Sequence, residues 1–278
     1  MPTLAWRIPD TRRLAGLAAL LIGASATAGL LVSAAVSLWT AVVLGVILIL
    51  AVQLATARGL QRALEEERSH QQALGELRSV LPLRLPLPQM TGWAATPRLG
   101  VEIVAQVLTR QPKVVMELGS GSSTLLTAYA LEKAGHGGRL ISIDHDAHFA
   151  DQTRSALRDH GVDAYVELRK APLIVQEIAG MRRRWYDVSA VADVQDIDLL
   201  VIDGPPEQSE VNARAAAFSV LGDKLSPGAV IIVDDAGRPS EKQAVDTFVA
   251  SHPDASVRWI TTAKGIAVIT LGSRSSAR

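Results

Sequence analysis

The sequence of 278 residues contains no cysteine. That excludes disulfides, thiolate zinc sites and cysteine nucleophiles, and it leaves the compartment open. Aromatic residues are scarce, at 4%, and neither sign of charge is in excess: 28 Lys and Arg face 28 Asp and Glu. Without a surplus of clustered positive charge, no broad nucleic-acid-binding surface is expected. No internal repeat organises the chain. What stands out is a stretch without charge: from Leu14 to Ala57, 44 residues carry none, and 33 of them are apolar. The rest has the apolar share of an ordinary soluble domain.

As one helix those 44 residues would run about 66 Å, twice the roughly 30 Å of a bilayer core. Two spans, Leu14–Val32 and Leu38–Ala57, fit better, reversing near Ser33–Ser37. Arg7, Arg12 and Arg13 precede the first span, Arg58 and Arg62 follow the second, and the connection is uncharged. The positive-inside rule then places both ends in the cytoplasm, as a multi-pass helical hairpin in the cell (inner) membrane. A single-span anchor and a cleaved export signal ending near Ala24-Ser25-Ala26 are the alternatives. The expected organisation is a membrane anchor (1–57), a helical connector and Pro-rich linker (58–87), a catalytic domain (88–272) and a disordered tail (273–278). The polar, helix-friendly segment 58–79 offers a surface for homodimer pairing. Three prolines, Pro82, Pro86 and Pro88, end it.

Beyond the linker, apolar runs at Val114–Leu118, Leu140–Ile143, Ala164–Leu168, Leu199–Ile202 and Ala229–Val233 alternate with helical spacing at 123–134, 148–160, 210–221 and 241–250. Continuous apolar strands alternating with helices predict a parallel sheet covered on both faces. Val257–Thr262 and Ile266–Leu271, around Ala263-Lys264-Gly265, read as a closing antiparallel hairpin.

The first strand runs into Glu117-Leu118-Gly119-Ser120-Gly121-Ser122-Ser123. Its glycines allow close approach of backbone to a ligand. A dinucleotide fingerprint would need a third glycine at Thr124, and a carboxylate at Glu117 suits a cationic ligand better than a phosphate. The second strand ends in Asp144, 27 residues after Glu117, where a carboxylate can accept two hydroxyl hydrogen bonds. The fourth ends at Asp203 and the fifth at Asp234-Asp235. In a doubly wound sheet such strand ends border the ligand crevice. Carboxylates converging there require a cation or a shared proton.

The E-x-G-x-G loop, Asp144 and the order of the strands resemble the class I S-adenosylmethionine (SAM)-dependent methyltransferases. That resemblance implies an α/β fold of five parallel strands plus a C-terminal antiparallel hairpin, here behind an N-terminal transmembrane hairpin. It implies a SAM site of Glu117, Gly119, Gly121, Ser123, Asp144 and Asp203, with Asp144 on the ribose. Ser123 stands where the family's third glycine usually lies. The acids at 203, 234 and 235 are similar to the magnesium site of catechol-type O-methyltransferases, whose lysine base is replaced here by Pro206. Three readings of these acids stay open: a Mg²⁺ site, a metal-free site with Asp203 as catalytic base, and plain turn and cap acids. Trp185-Tyr186-Asp187, after Arg182, Arg183 and Arg184, suggests packing on substrate or adenine, or a surface loop held by two aromatics. The expectation is methyl transfer to a hydroxyl of a small or lipid-linked acceptor at the cytoplasmic membrane face. An NAD(P)-binding oxidoreductase and a non-catalytic membrane adaptor of the same fold are the alternatives.

Overall fold

A computed structural model describes residues 34–90, 94–206 and 213–273, with residues 15, 16, 18–20 and 22. The expected first membrane span, Leu14–Val32, lies largely outside the described residues. The first long element is helix α1, Ala34–Val80, of 47 residues. Helix is already formed at Ala34, so residues 34–37, which the hairpin reading assigns to a reversal, are helical; Ala34, Ala35 and Val36 contain no breaker. Its sequence changes character midway. The apolar part presents Trp39, Val43, Ile47 and Leu50 on its exterior, and the part after Arg58 is polar. Among the described residues, one helix is long and apolar enough to cross a membrane.

The chain divides into two compact units, residues up to 65 and residues 66–278. The second unit is built on a seven-stranded sheet. Its strands are β1 (Val114–Leu118), β2 (Arg139–Asp144), β3 (Val166–Lys170), β6 (Ile197–Ile202), β7 (Leu225–Asp234), β8 (Ser256–Ile260) and β9 (Ile266–Thr270), in the order β3-β2-β1-β6-β7-β9-β8. The first five are parallel, and β9 runs antiparallel between β7 and β8. This is the expected α/β sheet with its closing hairpin.

Successive residues of the central strands supply two separate cores, as the period of two requires. Val115, Leu140, Val201 and Ile232 pack with α2 (Pro97–Arg110), α3 (Ser122–Ala134), the end of α1 at Leu77, and Leu81 just beyond it. Met116, Ile141, Leu200 and Ile231 pack on the other side with α5 (Ala215–Leu221), α6 (Pro239–Ala250), Trp185 and Tyr186. Helix α4 (Ala147–Asp159) opens at Asp146, whose carboxylate accepts the backbone N–H of His148 at 2.8 Å, satisfying an otherwise orphaned donor. Helix α2 opens in the same way at Thr96, with Pro97 in its first turn.

One element was not legible in the apolar runs. Leu173–Ile178 (β4) and Met181–Tyr186 (β5) form a separate two-stranded antiparallel sheet, with Val175 opposite Arg184 and Gln176 opposite Arg183. β5 carries three successive arginines and β4 lies largely exposed, so the pair gives no buried-strand signal. The segment around Arg182–Arg184 is therefore strand, and its last two residues, Trp185 and Tyr186, are fully buried. At the fourth crossover, α5 is shorter than the expected 210–221 helix, and residues 207–212 lie outside the described set.

Leu77 is fully buried in the second unit, whereas Leu64, on the same helix, is exposed. Leu77→Ala is expected to cost about 2–5 kcal/mol and Leu64→Ala less than about 0.5 kcal/mol, read from urea unfolding of the full chain in detergent. Equal costs would contradict the assignment of the end of α1 to the core.

Candidate functional site

The parallel strands end on one edge of the sheet, and a cavity of about 740 Å³ opens there. It is bordered by the loop after β1 (Gly119, Ser120, Gly121, Ser122), by Asp144 and His145 after β2, and by Phe149, Gln152 and Thr153 of α4. Tyr186 from β5, Asp203 and Gly204 after β6, and Pro88 and Gln89 of the linker complete it. The size suits a nucleoside-bearing cofactor.

The β1 loop is held open by its neighbours. Gly119 has φ +95°, a conformation that favours glycine. Its N–H donates to the Ile143 carbonyl at 2.9 Å. Asp144 fixes the next residue: its Oδ2 accepts from the backbone N–H of Ser120 at 3.0 Å and from Ser120 Oγ at 2.6 Å, while Oδ1 accepts from Asp146 N–H at 2.9 Å. Burial would raise the Asp144 pKa, but hydrogen bonds from His145, Ser120 and Asp146 hold it below the usual value. It is a firm carboxylate at the cavity wall.

Glu117 takes a different position. It is fully buried beneath the loop and is not among the residues that border the cavity. Its Oε2 accepts from Thr124 Oγ1 at 2.6 Å and Ser142 Oγ at 2.8 Å, and Thr124 Oγ1 in turn accepts the Gly121 N–H at 2.9 Å. Ser123 is likewise buried and bonds Glu117. Burial pushes the Glu117 pKa up to about 7, against the lowering effect of these hydrogen bonds. Ser122, which the motif reading passes over, borders the cavity with a buried hydroxyl that has no protein partner.

At the other end, Asp203, Asp234 and Asp235 each offer a carboxylate oxygen, and the three atoms lie within 4.8 Å of one another. Arg214, 5% exposed, ties them together. It donates to the Asp234 carbonyl at 2.6 Å, to the Asp203 carbonyl at 3.1 Å and to Asp235 Oδ2 at 2.7 Å. Arg238 lies 3.1 Å from Asp235 Oδ2, and Lys264 lies 4.0 Å from its Oδ1. These contacts hold Asp235 at φ +55°, an uncommon backbone region for a residue with a side chain. Burial and Asp234 push Asp203 well above the ordinary carboxylate range, and burial and Asp235 raise Asp234; Arg214 opposes both shifts. Among the described residues, both Asp234 oxygens and Asp235 Oδ1 are buried without a hydrogen-bond partner. A set of unpartnered hard oxygens fits a divalent cation such as Mg²⁺. Nothing in the sequence pattern singles out Arg214, because its role depends on a fold that returns it to two strand ends.

A family model described as "Methyltransferase domain" matches residues 116–236. A search of curated proteins returns no match. Among solved structures, the O-methyltransferase TomG from Streptomyces achromogenes, involved in tomaymycin synthesis and solved in complex with SAM, is 19% identical with a TM-score of 0.52, covering 75% of this chain and 99% of its own. An O-methyltransferase from Bacillus cereus in complex with SAH is 19% identical with a TM-score of 0.49, over 73% of this chain and 90% of its own. A methyltransferase from Geobacter sulfurreducens is 16% identical with a TM-score of 0.48, over 72% of this chain and 88% of its own.

An unfolded glutamate ionises near 4.5, while native Glu117 keeps its proton to about 7. Between those values the native chain binds the extra proton, so this group makes stability fall as pH rises. Glu117→Gln is expected to remove a slope of about 1.4 kcal/mol per pH unit from that window, read as the difference between wild-type and variant urea stabilities at pH 5, 6 and 7. Parallel curves would contradict a proton held on Glu117. Residues 116–236 thus match a methyltransferase-domain model, and the sheet around them has the strand order expected of the class I SAM-dependent methyltransferase fold.

Proposed function

We propose that the protein transfers the methyl group of SAM to a hydroxyl of a small or lipid-linked acceptor at the cytoplasmic face of a membrane. The observation that carries this reading is the single cavity with a firm carboxylate, Asp144, at one end and the Asp203 cluster at the other. Asp144 accepts from the ribose hydroxyls. Gly119, Gly121 and Asp203 border the methionine end, and Glu117 and Ser123 act from beneath, by holding Thr124 and through it the Gly121 N–H.

Methyl transfer from a sulfonium is an in-line displacement, so the protein's main task is to align acceptor oxygen, methyl carbon and sulfur. The acceptor oxygen forms a bond to the methyl carbon as the carbon–sulfur bond breaks, and the bond pair stays on sulfur. The hydroxyl proton passes to Asp203. In the metal-free site, burial and Asp234 raise the Asp203 pKa, which makes its ionised form the stronger base. Asp203, Asp234 and Asp235 would hold a Mg²⁺ ion, which supplies positive charge that favours an alkoxide over an alcohol. The favoured oxygen acceptor follows from this acidic cluster. The apolar part of α1, flanked by Arg58 and Arg62, supports anchoring with the catalytic domain in the cytoplasm, where an acceptor with a lipid tail would be presented.

Methyl transfer from labelled SAM into fractionated cell extract tests the reading, with the full chain in detergent and with or without a chelator. Label is expected in the organic-extractable fraction, and chelation is expected to lower it by about tenfold or more. No label in any fraction would contradict catalysis, and label insensitive to chelation would remove the metal.

A further inference from the structure

Tyr186 is the part of the Trp185-Tyr186-Asp187 motif that the mechanism above leaves unused. It closes β5, and the β4–β5 sheet thereby delivers its ring to the cofactor cavity. The ring packs edge-on against Trp185, with centroids 5.3 Å apart, and against His145 at 6.2 Å. The residue is fully buried. Its hydroxyl has no hydrogen-bond partner among the described residues. That is uncommon, because a buried tyrosine hydroxyl normally finds one.

The place of this hydroxyl is informative. It abuts Gly204, at the position a Cβ would fill, and the same position lies 3.4 Å from Gly119 N and 3.3 Å from the Leu118 carbonyl. Both flanking residues, Gly119 and Gly204, border the cavity. Tyr186 therefore sits where the β1 loop meets the β6 loop. It feels the charges of both Asp144 and Asp203, and with burial they raise its pKa well above the ordinary value. The phenol keeps its proton and remains a neutral dipole. On the reading given above, Asp144 marks the ribose end of the cofactor and Asp203 the methionine end. The atom joining those two parts of SAM is the sulfonium.

We propose that Tyr186 is a specificity-determining residue whose hydroxyl oxygen faces the sulfonium, so that the site binds SAM in preference to its demethylated product SAH. The two ligands share adenine, ribose and amino-acid groups. They differ in the methyl group and the positive charge on sulfur, so only a contact at that atom separates them. A neutral hydroxyl presents its lone pairs to the cation and offers little to a thioether. The same contact would help release product once the charge is gone. This inference rests on the assignment of the cavity to SAM.

Calorimetric titration of SAM and of SAH into the full chain in detergent, wild type and Tyr186→Phe, tests it. The variant is expected to bind SAM about tenfold more weakly, to bind SAH as wild type does, and to melt no lower than wild type, because it loses an unpartnered buried hydroxyl. Equal losses for both ligands, or no loss for either, with wild type binding both, would overturn the role of Tyr186 alone. A wild type that binds neither ligand would overturn the SAM assignment and this inference with it. Tyr186→Trp, which also removes the hydroxyl, provides a second reading: SAM affinity equal to wild type would count against the proposal.

Discussion

Five carboxylates are gathered at one edge of the sheet, and burying each is costly unless something satisfies it. The structure meets that constraint in three ways. Asp144 is satisfied by backbone and hydroxyl donors, which at the same time pin the loop after β1 to the end of β2. Glu117 sits below the same loop, where hydroxyls satisfy its Oε2 while Oε1 has no partner among the described residues, and burial favours its holding a proton. Asp235 is paired with the buried Arg214, whose two terminal nitrogens also take the Asp203 and Asp234 carbonyls at the ends of β6 and β7, and the Asp234 carboxylate is left for a cation or a proton to satisfy. The cavity exists because these contacts hold four strand ends and their loops in fixed relation. Its floor and its chemistry come from the same residues.

The parallel sheet was legible because its strands are buried on both sides and so read as unbroken apolar runs. Val114–Leu118 and Leu199–Ile202 are examples, and the closing hairpin follows from two apolar segments around Gly265. The β4–β5 sheet was not legible, since arginines on exposed strands look like a solvated loop. The acids at the strand ends could be found because residue type, strand end and order in the chain all point to one edge. Which of them face the cavity is a matter of side-chain direction. Along β1, alternate residues face opposite sides, and Glu117 turns to Ser142 and Thr124 beneath the loop. Arg214 carries no motif signal, and Tyr186 lies in a Trp-Tyr-Asp patch that reads equally as ligand packing or a surface loop; their importance comes from distant segments meeting, Arg214 with Asp203 and Asp235, Tyr186 with Gly204. Ser120 and Ser122 lie within the motif, but a pattern of glycines and acids assigns no role to the positions between them.

The two halves of α1 express different physics within one helix. Before Arg58 the helix is uncharged and mostly apolar, with Trp39, Val43, Ile47 and Leu50 on its exterior. After it, the surface is polar until Ala73 and Leu77, which are buried in the core of the second unit. The linker that follows is tied down as well. The Arg84 N–H donates to the buried Tyr129 hydroxyl at 3.1 Å, and its guanidinium donates to the His160 carbonyl at 2.8 Å. Pro88 and Gln89, a few residues on, border the cavity. The segment that follows α1 is thus part of the wall of the site.

The central claim is that this cavity takes SAM, with Asp144 on the ribose. Calorimetric titration of SAM and of NAD(P) into the wild-type chain and Asp144→Asn tests it most directly. Wild type is expected to bind SAM and neither nicotinamide dinucleotide, and Asp144→Asn to bind SAM about tenfold or more weakly, because hydrogen bonds to a charged acceptor are lost. Binding of NAD(P) in place of SAM, or SAM affinity unchanged by Asp144→Asn, would contradict the account.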